Sequence, residues 1–298
     1  MKQPPYILVV NGTKVRRPVF VLGAPHSGVE LIARALGRSP GFHLTSGRPS
    51  VVNAAHAFAR RPSIAADHEW GTATLLRDAM AEAWQLTPRT CPHCPRRPVT
   101  AREGVEPCRH AGEMERFGDA SPDLLYSATA LAGAFEDAAF VQIIRDGRDV
   151  VAAMLDDEAL LSWLRPSVAN LEDELPHPFF GIETKAERDD YARMSDVAKC
   201  ALRWRGAVRL SARLRGALDA ERLMTLRYEE VFGAEIDTAE QLSSFTGTRV
   251  SAMELMHTGP TGVGAWRNRL APHQRDEVLN TARTELARLG YIGSKTRA

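Results

Sequence analysis

The loop between Gly23 and Glu30 has the composition of an anion-binding site. Its sequence, Gly-Ala-Pro-His-Ser-Gly-Val-Glu, follows the apolar run Val19–Leu22 and precedes a segment with an amphipathic helical pattern. A strand that ends at a glycine and turns into a helix directs backbone N–H groups and the positive end of the helix dipole at one point. The loop therefore predicts a phosphate-binding site for a nucleotide, although a plain turn would use the same residues.

A second group of charged residues follows the apolar segment Ala139–Ile144. Arg145 and Arg148 would lie at the carboxyl end of a parallel strand, which is where such sheets bind ligands. Guanidinium groups form paired, charge-assisted hydrogen bonds with phosphate oxygens. An ordinary exposed helical turn explains Asp149 well but Arg145 poorly, so this segment favours a phosphate site over a plain turn at the glycine loop.

Three of the four cysteines lie close together, between Cys91 and Cys108. Cys91 and Cys94 form a Cys-x-x-Cys pair, and after thirteen further residues Cys108 and His110 follow. Two Cys thiolates from one turn, together with one more Cys and one His, match the tetrahedral coordination of Zn²⁺. We therefore expect a structural zinc site with these four ligands. His93 is the alternative fourth ligand, and three free cysteines are the alternative to a metal.

The elements around these residues alternate between strands and helices. Short apolar segments predict strands at Val19–Leu22, Ala139–Ile144 and 223–228. The helical pattern predicts helices that follow the loop as far as Gly37 and cover 49–86 with breaks at Pro62 and Gly71, 123–135, 186–219, 236–246 and 273–289. Alternating strands and helices indicate an α/β fold in three layers around a central parallel sheet.

The chain has no internal repeat and no low-complexity linker, so we expect one domain over 1–298. Residues 88–112 are rich in Pro, Cys and Arg, and we expect a zinc-binding insertion that the metal holds together. Residues 157–185 have no regular pattern and include Trp163, Phe179 and Phe180. We interpret this second segment as a lid or as a wall of an acceptor pocket.

Composition argues against several classes of function. The 38 basic and 37 acidic residues leave a formal net charge of +1, which gives no general attraction to nucleic acid or to a membrane surface. No apolar run approaches the ~20 residues that span a bilayer, and residues 1–5 lack the apolar core of a signal peptide. These observations predict a cytoplasmic protein without nucleic-acid or membrane partners, and they leave a homo-oligomer open.

Five segments occur in the order that is typical of sulfotransferases. They are the glycine loop, Gly118–Pro122, Arg145–Asp149, Arg227–Glu230 and a C-terminal stretch from Gly264 to Tyr291. From Pro18 to Tyr291 the chain resembles enzymes that use 3′-phosphoadenosine 5′-phosphosulfate (PAPS) and release 3′,5′-adenosine bisphosphate (PAP). The resemblance implies a P-loop-type three-layer α/β/α sandwich. It also implies transfer of a sulfuryl group to a hydroxyl or amine of a small molecule, in bacterial secondary metabolism.

The resemblance implies a role for each matching residue as well. The loop would hold the 5′-phosphosulfate, with the amides of Ser27 and Gly28 on the phosphate. Arg145 would bind the 3′-phosphate, Tyr228 would lie near the adenine, and a C-terminal pair would close over the nucleotide. The implied donor site consists of Ala24, Pro25, His26, Ser27, Gly28, Val29, Glu30, Arg145, Tyr228, Trp266 and Arg267.

The loop departs from the family pattern at the residues that matter most for catalysis. His26 replaces the usual Lys or Arg, and it carries a positive charge only when it is protonated. Val29 and Glu30 replace a pair of Thr residues, which puts a carboxylate near the phosphates. Ala120 and Ala153 replace the usual Lys and Ser of two other motifs.

These departures leave three functions open. The chain is a divergent but active sulfotransferase, a catalytically altered or inactive nucleotide-binding scaffold, or another phosphate-loop transferase such as a small-molecule kinase. The kinase is disfavoured because the chain has no Gly-Lys-Ser/Thr triplet. The candidate catalytic residues are His26, Glu30 and His56, and further candidates for the base that takes the acceptor's proton are His43, His68 and Glu69.

Overall fold

A short antiparallel ribbon precedes the main sheet. The computed structural model describes residues 7–67, 69–91, 93–95, 106–165, 174–256 and 262–293. In the ribbon, β1 (Val9–Val10) pairs with β2 (Thr13–Lys14). Five later strands form the main sheet, namely β3 (Val19–Gly23), β4 (Phe42–Thr45), β5 (Arg116–Asp119), β6 (Ala139–Ile144) and β7 (Leu223–Arg227).

The main sheet is parallel throughout, and its strand order is β4-β5-β3-β6-β7. The neighbouring strands β3 and β6 consist almost wholly of buried apolar residues, which suits strands that are covered on both faces. The chain leaves β3 toward one face and β6 toward the other. The order of the strands therefore reverses at the carboxyl ends of β3 and β6, and open parallel α/β sheets bind ligands at such a point.

Helices connect the strands on both faces of the sheet. In the described part of the chain they are α1 (Val29–Gly37), α2 (Pro49–Arg60), α3 (Pro62–Asp67), α4 (Glu69–Ala83), α5 (Ala128–Ala134), α6 (Gly147–Met154), α7 (Glu158–Trp163), α8 (Lys185–Tyr191), α9 (Asp196–Ala217), α10 (Tyr228–Val231), α11 (Glu235–Thr246), α12 (Trp266–Arg269) and α13 (Pro272–Arg288). The helix predicted over 123–135 consists of a 3₁₀ turn, Leu124–Ser127, followed by α5. Among the described residues, no helix has both the length and the apolar character that a membrane crossing requires.

Alternate side chains of the central strands point into two separate apolar layers. On one face, Val21 and Ile143 belong to the same cluster as Ile32 of α1 and the buried side of α11. On the other face, Phe20 packs with Trp84, and this larger layer includes residues of α2, α4, α5, α6, α9 and α13. The structure thus confirms the predicted three-layer α/β/α arrangement around a parallel sheet.

The structure corrects several predicted elements. The helix predicted over 186–219 is two helices, because α8 ends at Tyr191 and α9 begins at Asp196. The break predicted at Gly71 is wrong, since α4 continues through this residue. The strands β4 and β5 were missed by the sequence pattern, because Phe-His-Leu-Thr and Arg-Phe-Gly-Asp carry polar residues that obscure it. Their pairing depends on the tertiary packing.

Candidate active site

Two cavities open at the carboxyl edge of the sheet, one on each side of the glycine loop. The larger, which we call the apolar cavity, has a volume of about 470 Å³, and its walls include Leu124, Leu160 and Trp163. The smaller, the arginine groove, has about 270 Å³ and is lined by Gly28, Leu31, Arg34, Arg145, Ala153, Tyr228 and Phe232. His26 and Glu30 line both cavities, so these two side chains lie where the cavities meet.

The loop between β3 and α1 follows a path that its residues fix tightly. His26 has a φ of 60°, in the left-handed region that only a well-supported non-glycine residue adopts. Gly28 has a φ of 103°, and a Cβ there would lie 2.4 Å from Cδ2 of Tyr228. Glycine is therefore required at this position both for its backbone conformation and for its close approach to an aromatic ring.

Ser27 points inward and supports the loop. Its side chain is 1% exposed, and its hydroxyl donates to the Ala24 carbonyl oxygen at 2.6 Å. The Ser27 amide donates to the same carbonyl at 3.1 Å, so binding a phosphate through this amide would compete with that bond. The amides that open α1 have no acceptor within the helix itself, as in any helix, and they are the donors of the loop that best suit a phosphate.

Arg145 connects the loop to the C-terminal part of the chain. Its guanidinium donates to the carbonyl oxygens of His26 at 3.0 Å and of Gly262 at 2.9 Å. The same group lies over the ring of Tyr228, 4.2 Å from the ring centroid, and its buried Nε has no hydrogen-bond partner among the described residues. This cation is held in place by several contacts, and its buried Nε donor is left unsatisfied.

Arg34 is a second cation of the groove, and the sequence analysis did not identify it. It lies on α1, four residues after Glu30, and its guanidinium donates to the Glu254 carbonyl at 2.9 and 3.1 Å. Because α-helical residues four apart share one face, its sequence position was the available signal. Ala153, where the family pattern has a serine, also lines the groove, eight residues after Arg145.

The predicted C-terminal pair lies outside both cavities. Asp149 accepts hydrogen bonds from the amides of Gly264 at 2.7 Å and Trp266 at 2.8 Å, which ties this segment to α6. The Trp266 ring lies under the guanidinium of Arg148, 4.2 Å from its Cζ, and Arg267 is exposed. Neither member of the pair lines the described groove. Closure of these residues over a nucleotide stays a prediction.

His26 is paired with a carboxylate that the sequence analysis missed. Its Nε2 lies 3.1 Å from Oδ2 of Asp157, which is the N-cap of α7. The other carboxylate oxygen accepts the Leu160 amide at 3.0 Å. The Leu160 amide and the contact with His26 lower the pKa of Asp157 below its usual range. The available signal was an Asp directly before Glu-Ala-Leu-Leu, which is a helix N-cap pattern.

The far wall of the apolar cavity carries a buried ion pair. Arg203 of α9, 2% exposed, donates to Oδ1 of Asp123 at 2.6 Å, and both residues line the cavity. The guanidinium also lies 3.7 Å from the ring centroid of Phe179. The segment 157–185 thus contributes Leu160 and Trp163 to the cavity and Phe179 behind it, while its residues 166–173 lie outside the described residues.

Of the other candidate histidines, His56 and His43 line neither of the two cavities. His56 packs with its ring centroid 4.1 Å from that of Trp163, and burial lowers its pKa. Its Nε2 is buried without a partner in the described structure. His43 is buried on β4, where burial lowers its pKa to about 4. His68 lies outside the described residues.

The motif Gly118–Pro122 ends β5 beside the loop. Asp119 is fully buried and accepts hydrogen bonds from the Thr45 hydroxyl at 2.6 Å and the Ser121 amide at 2.7 Å. Burial raises its pKa to about 6 despite these donors. Ala120 and Ser121 then line the apolar cavity. Asp119 therefore fixes the turn that brings the motif to the cavity.

A separate cluster of Cys and His side chains lies away from the sheet. One ligand atom from each of Cys91, Cys94, Cys108 and His110 falls within 4.8 Å of the other three. Nδ1 of His110 is 3.4 Å from Sγ of Cys91 and 3.6 Å from Sγ of Cys94. His93 is not in this group, and its ring centroid is 5.6 Å from that of His110. Residues 92 and 96–105 lie outside the described residues.

The parallel sheet and the glycine loop at its carboxyl edge define an α/β protein of the phosphate-loop type. A model of the sulfotransferase family matches residues 18–252. The chain therefore belongs to the sulfotransferase family, and it is an enzyme that transfers sulfuryl groups.

The fold is similar to a sulfotransferase from Alicyclobacillus acidocaldarius, with 17% identity, coverage of 93% of this chain and 96% of the other, and a TM-score of 0.45. The sulfotransferase domain of the Synechococcus PCC 7002 olefin synthase is 13% identical, with coverage of 92% of this chain and 95% of the domain and a TM-score of 0.48. A mouse sulfotransferase in complex with PAP is 12% identical, with coverage of 95% of this chain and 88% of the other and a TM-score of 0.44. Comparison with the curated proteins gives no significant match.

Proposed function

We propose that this sulfotransferase uses PAPS as its donor and a small molecule with a hydroxyl or amine as its acceptor. The observation that carries the proposal is the meeting of two cavities at His26 and Glu30. A basic groove on one side suits a nucleotide bisphosphate, and a mainly apolar cavity on the other suits an organic acceptor. In-line transfer requires the two substrates to meet at one point.

The donor would lie in the arginine groove. Arg145, with Arg34 nearby, would bind the 3′-phosphate, and Tyr228 and Phe232, whose ring centroids are 5.0 Å apart, would contact the adenine. The 5′-phosphosulfate would lie on Ala24, Pro25, His26, Ser27, Gly28, Val29 and Glu30, with Trp266 and Arg267 closing from the C-terminal side. The guanidinium groups, the loop amides and the glycine at the closest approach fit a phosphorylated donor.

The acceptor would lie in the apolar cavity, with its nucleophilic atom toward the loop. Trp163 and Leu160 place part of the segment 157–185 in the cavity wall, in accordance with the proposed acceptor role of that segment. His26 and Glu30 are the catalytic groups that reach both substrates. His56 stays a third candidate, but it packs behind Trp163 and would need that ring to move. The cytoplasmic location also stays a prediction.

Calorimetry with PAP, and with ATP plus Mg²⁺ as the comparison, tests the donor. We expect PAP to bind and ATP to bind much more weakly. A preference for ATP would indicate a phosphate-loop kinase, and binding of neither nucleotide would contradict a nucleotide site. Binding of PAP without transfer from PAPS to any of a panel of phenols, alcohols and amines would indicate the inactive scaffold.

We further propose that Cys91, Cys94, Cys108 and His110 hold a structural Zn²⁺. Ligands of a tetrahedral zinc with Zn–S bonds of about 2.3 Å lie about 3.8 Å apart. The cluster, with its ligand atoms within 4.8 Å of one another, needs only small movements to reach this geometry. Four protein ligands leave no open position, so the metal would stabilise the 88–112 insertion and take no part in catalysis. Metal analysis of protein purified without chelators should give one zinc per chain, and a metal-free, folded protein would contradict the site.

A further inference from the structure

The contact between His26 and Asp157 determines which ring nitrogen is available to a substrate. Nε2 of His26 is 3.1 Å from Oδ2 of Asp157, and both side chains are 34% exposed. This exposure means that the pair lies at the cavity surface, where a substrate can reach it, and not in the core. Asp157 lines the apolar cavity, and His26 lines both cavities.

The carboxylate fixes the tautomer of the imidazole. The Leu160 amide and His26 keep the pKa of Asp157 low, so the group is ionised at neutral pH and can only accept a hydrogen bond. Nε2 must therefore carry the shared proton, which leaves Nδ1 as the nitrogen that can gain or lose one.

We propose that Asp157 positions His26 as the proton acceptor of the sulfuryl transfer, with Nδ1 of His26 receiving the proton of the acceptor. This inference rests on the proposed function, because it needs a PAPS-type donor in the groove. His26 is then the catalytic residue, since it touches the reacting atoms. Asp157 acts through it as a positioning residue.

The proposed step balances as follows. The acceptor oxygen forms a bond to sulfur, and the bond between sulfur and the bridging oxygen breaks. The electron pair of the broken bond stays on the 5′-phosphate of PAP, and the acceptor's proton moves to Nδ1 of His26. The protonated ring then supplies the positive charge beside the leaving phosphate that Lys or Arg gives in the family pattern. The ring later releases the proton to solvent.

Other charged groups line the same two cavities. They include Glu30 on α1 and Arg145, which donates to the His26 carbonyl. The remaining titratable and charged side chains of the two cavities are Arg34, Asp123, Arg203 and Tyr228. Among these groups, Asp157 contacts the His26 ring at 3.1 Å, so its removal should have the clearest effect on His26.

The substitution Asp157→Asn separates the two roles of this residue. Asparagine is as good an N-cap as aspartate, so the bond from the Leu160 amide and the start of α7 are retained. An amide can donate to Nε2, however, which would transfer the ring proton to Nδ1 and remove the base. Asp156→Asn is the matched control, because this neighbouring carboxylate is 75% exposed and pairs with Arg269 instead.

Nitrogen NMR on protein with labelled histidines and bound PAP tests the pairing directly, with His26→Gln to assign the signal. We expect the neutral ring of the wild type to carry its proton on Nε2. We expect the ring of Asp157→Asn to carry it on Nδ1. Asp156→Asn should behave as the wild type. The same tautomer in all three proteins would overturn the pairing.

Rates of PAP release from PAPS, with 2-naphthol and with water alone as acceptor, test the catalytic role. We expect Asp157→Asn to lower kcat by about 10²-fold or more, with PAP affinity within about threefold of the wild type by calorimetry. The wild-type rate should rise with pH, because a base accepts a proton only in its unprotonated form. A rate that falls as the pH rises, or an Asp157→Asn rate equal to that of the wild type, would overturn the inference while the proposed function stands. A wild type that does not bind PAP would instead overturn the proposed function.

Discussion

The two candidate sites of this protein, the loop at the strand ends and the Cys–His cluster, are held in place by different kinds of interaction. The loop lies between buried strands whose side chains form continuous apolar layers on both faces of the sheet. Among the described residues, the buried apolar ones at the Cys–His cluster are Leu86, Cys91, Cys108 and Ala111, and two of these are predicted ligands. Packing therefore fixes the first site before any ligand binds, whereas we expect the second to depend on its proposed metal.

Because of this difference, we expect the two sites to tolerate different kinds of substitution. At the loop, the backbone geometry is secured by the fold, and the chemistry can vary with the side chains, as His26 and Glu30 show. At the cluster, the ligands are themselves the structural element, so their loss would affect order before it affected any reaction. Ligand affinity should thus respond to substitutions at the loop, and stability to substitutions at the cluster.

The largest effect on ligand affinity is expected for Arg145→Ala. This change removes the guanidinium that donates to the His26 and Gly262 carbonyls and would bind the 3′-phosphate. We expect calorimetry to show PAP affinity reduced by about 10²- to 10³-fold, or about 3 to 4 kcal/mol. The zinc content should remain that of the wild type, because Arg145 lines the arginine groove and is not a member of the Cys–His cluster.

Arg116→Ala is the matched control for this substitution. Arg116 begins β5, at the opposite end of the strands, and like Arg145 it donates to the carbonyl of a C-terminal glycine, Gly247, at 3.3 Å. Its removal should leave PAP affinity within about twofold of the wild type. Equal affinities of the two variants would show that Arg145 does not bind the nucleotide.

The substitution Cys91→Ser should give the opposite profile. Loss of one thiolate should remove the zinc and destabilise the protein by about 2 kcal/mol, which corresponds to a lowering of the melting temperature by about 4–8 °C. PAP affinity should change by less than about twofold. A chelator should lower the melting temperature of the wild type to that of the variant and leave the variant unchanged.

Cys200→Ser controls for the loss of a buried thiol. Cys200 lies on α9, fully buried in the large apolar layer, so serine there also destabilises the fold. This variant should keep its zinc and its response to the chelator. If Cys91→Ser kept the metal, or if both variants responded alike, the cluster would not be a zinc site.

A smaller effect is expected for Gly28→Ala, which tests how far packing determines the loop. The new Cβ would lie 2.4 Å from the Tyr228 ring, at a φ of 103°. Displacement of this ring should disturb Arg145, and we expect PAP affinity to fall about 10- to 30-fold, or about 2 kcal/mol. Gly47→Ala is the control, because Gly47 has a φ of 70° with no atom within 4 Å of a new Cβ. The Gly47→Ala variant should have a strained backbone at this residue but bind PAP with the affinity of the wild type.

The sequence predicted the strands where the apolar pattern was strong. It failed where tertiary packing determined whether a segment formed a strand. The strands β3 and β6 are almost wholly apolar and were identified almost to the residue. The strands β4 and β5 were not, because their short segments carry His, Arg and Asp that are tolerated only within the assembled sheet. The four residues of the Cys–His cluster were identified from spacing alone, and the structure brings them together.

The candidate active site shows the same limit, because the sequence does not reveal which distant residues contact each other. Local spacing identified His26, Glu30 and Arg145, because each stands in or beside a recognisable motif. Asp157 is 131 residues from His26, and no sequence pattern connects two residues that far apart. Conversely, Trp266 and Arg267 match a motif but do not line the described groove. Motifs therefore predicted the candidate site, and only the fold could supply its long-range contacts.

The smallest effect is expected at Tyr228, where ring and hydroxyl can be tested separately. The guanidinium of Arg145 lies 4.2 Å from the ring centroid, and the ring fills the space beside Gly28. A cation–π contact of this kind contributes about 1 kcal/mol, so Tyr228→Leu should weaken PAP binding about fivefold. Tyr228→Phe keeps the ring and should change affinity by less than about twofold. If the phenylalanine variant were as weak as the leucine variant, the hydroxyl and not the ring would support the groove. In that case packing would not be what holds Arg145, and the contrast with the Cys–His cluster, which we propose is held by a metal, would lose its basis.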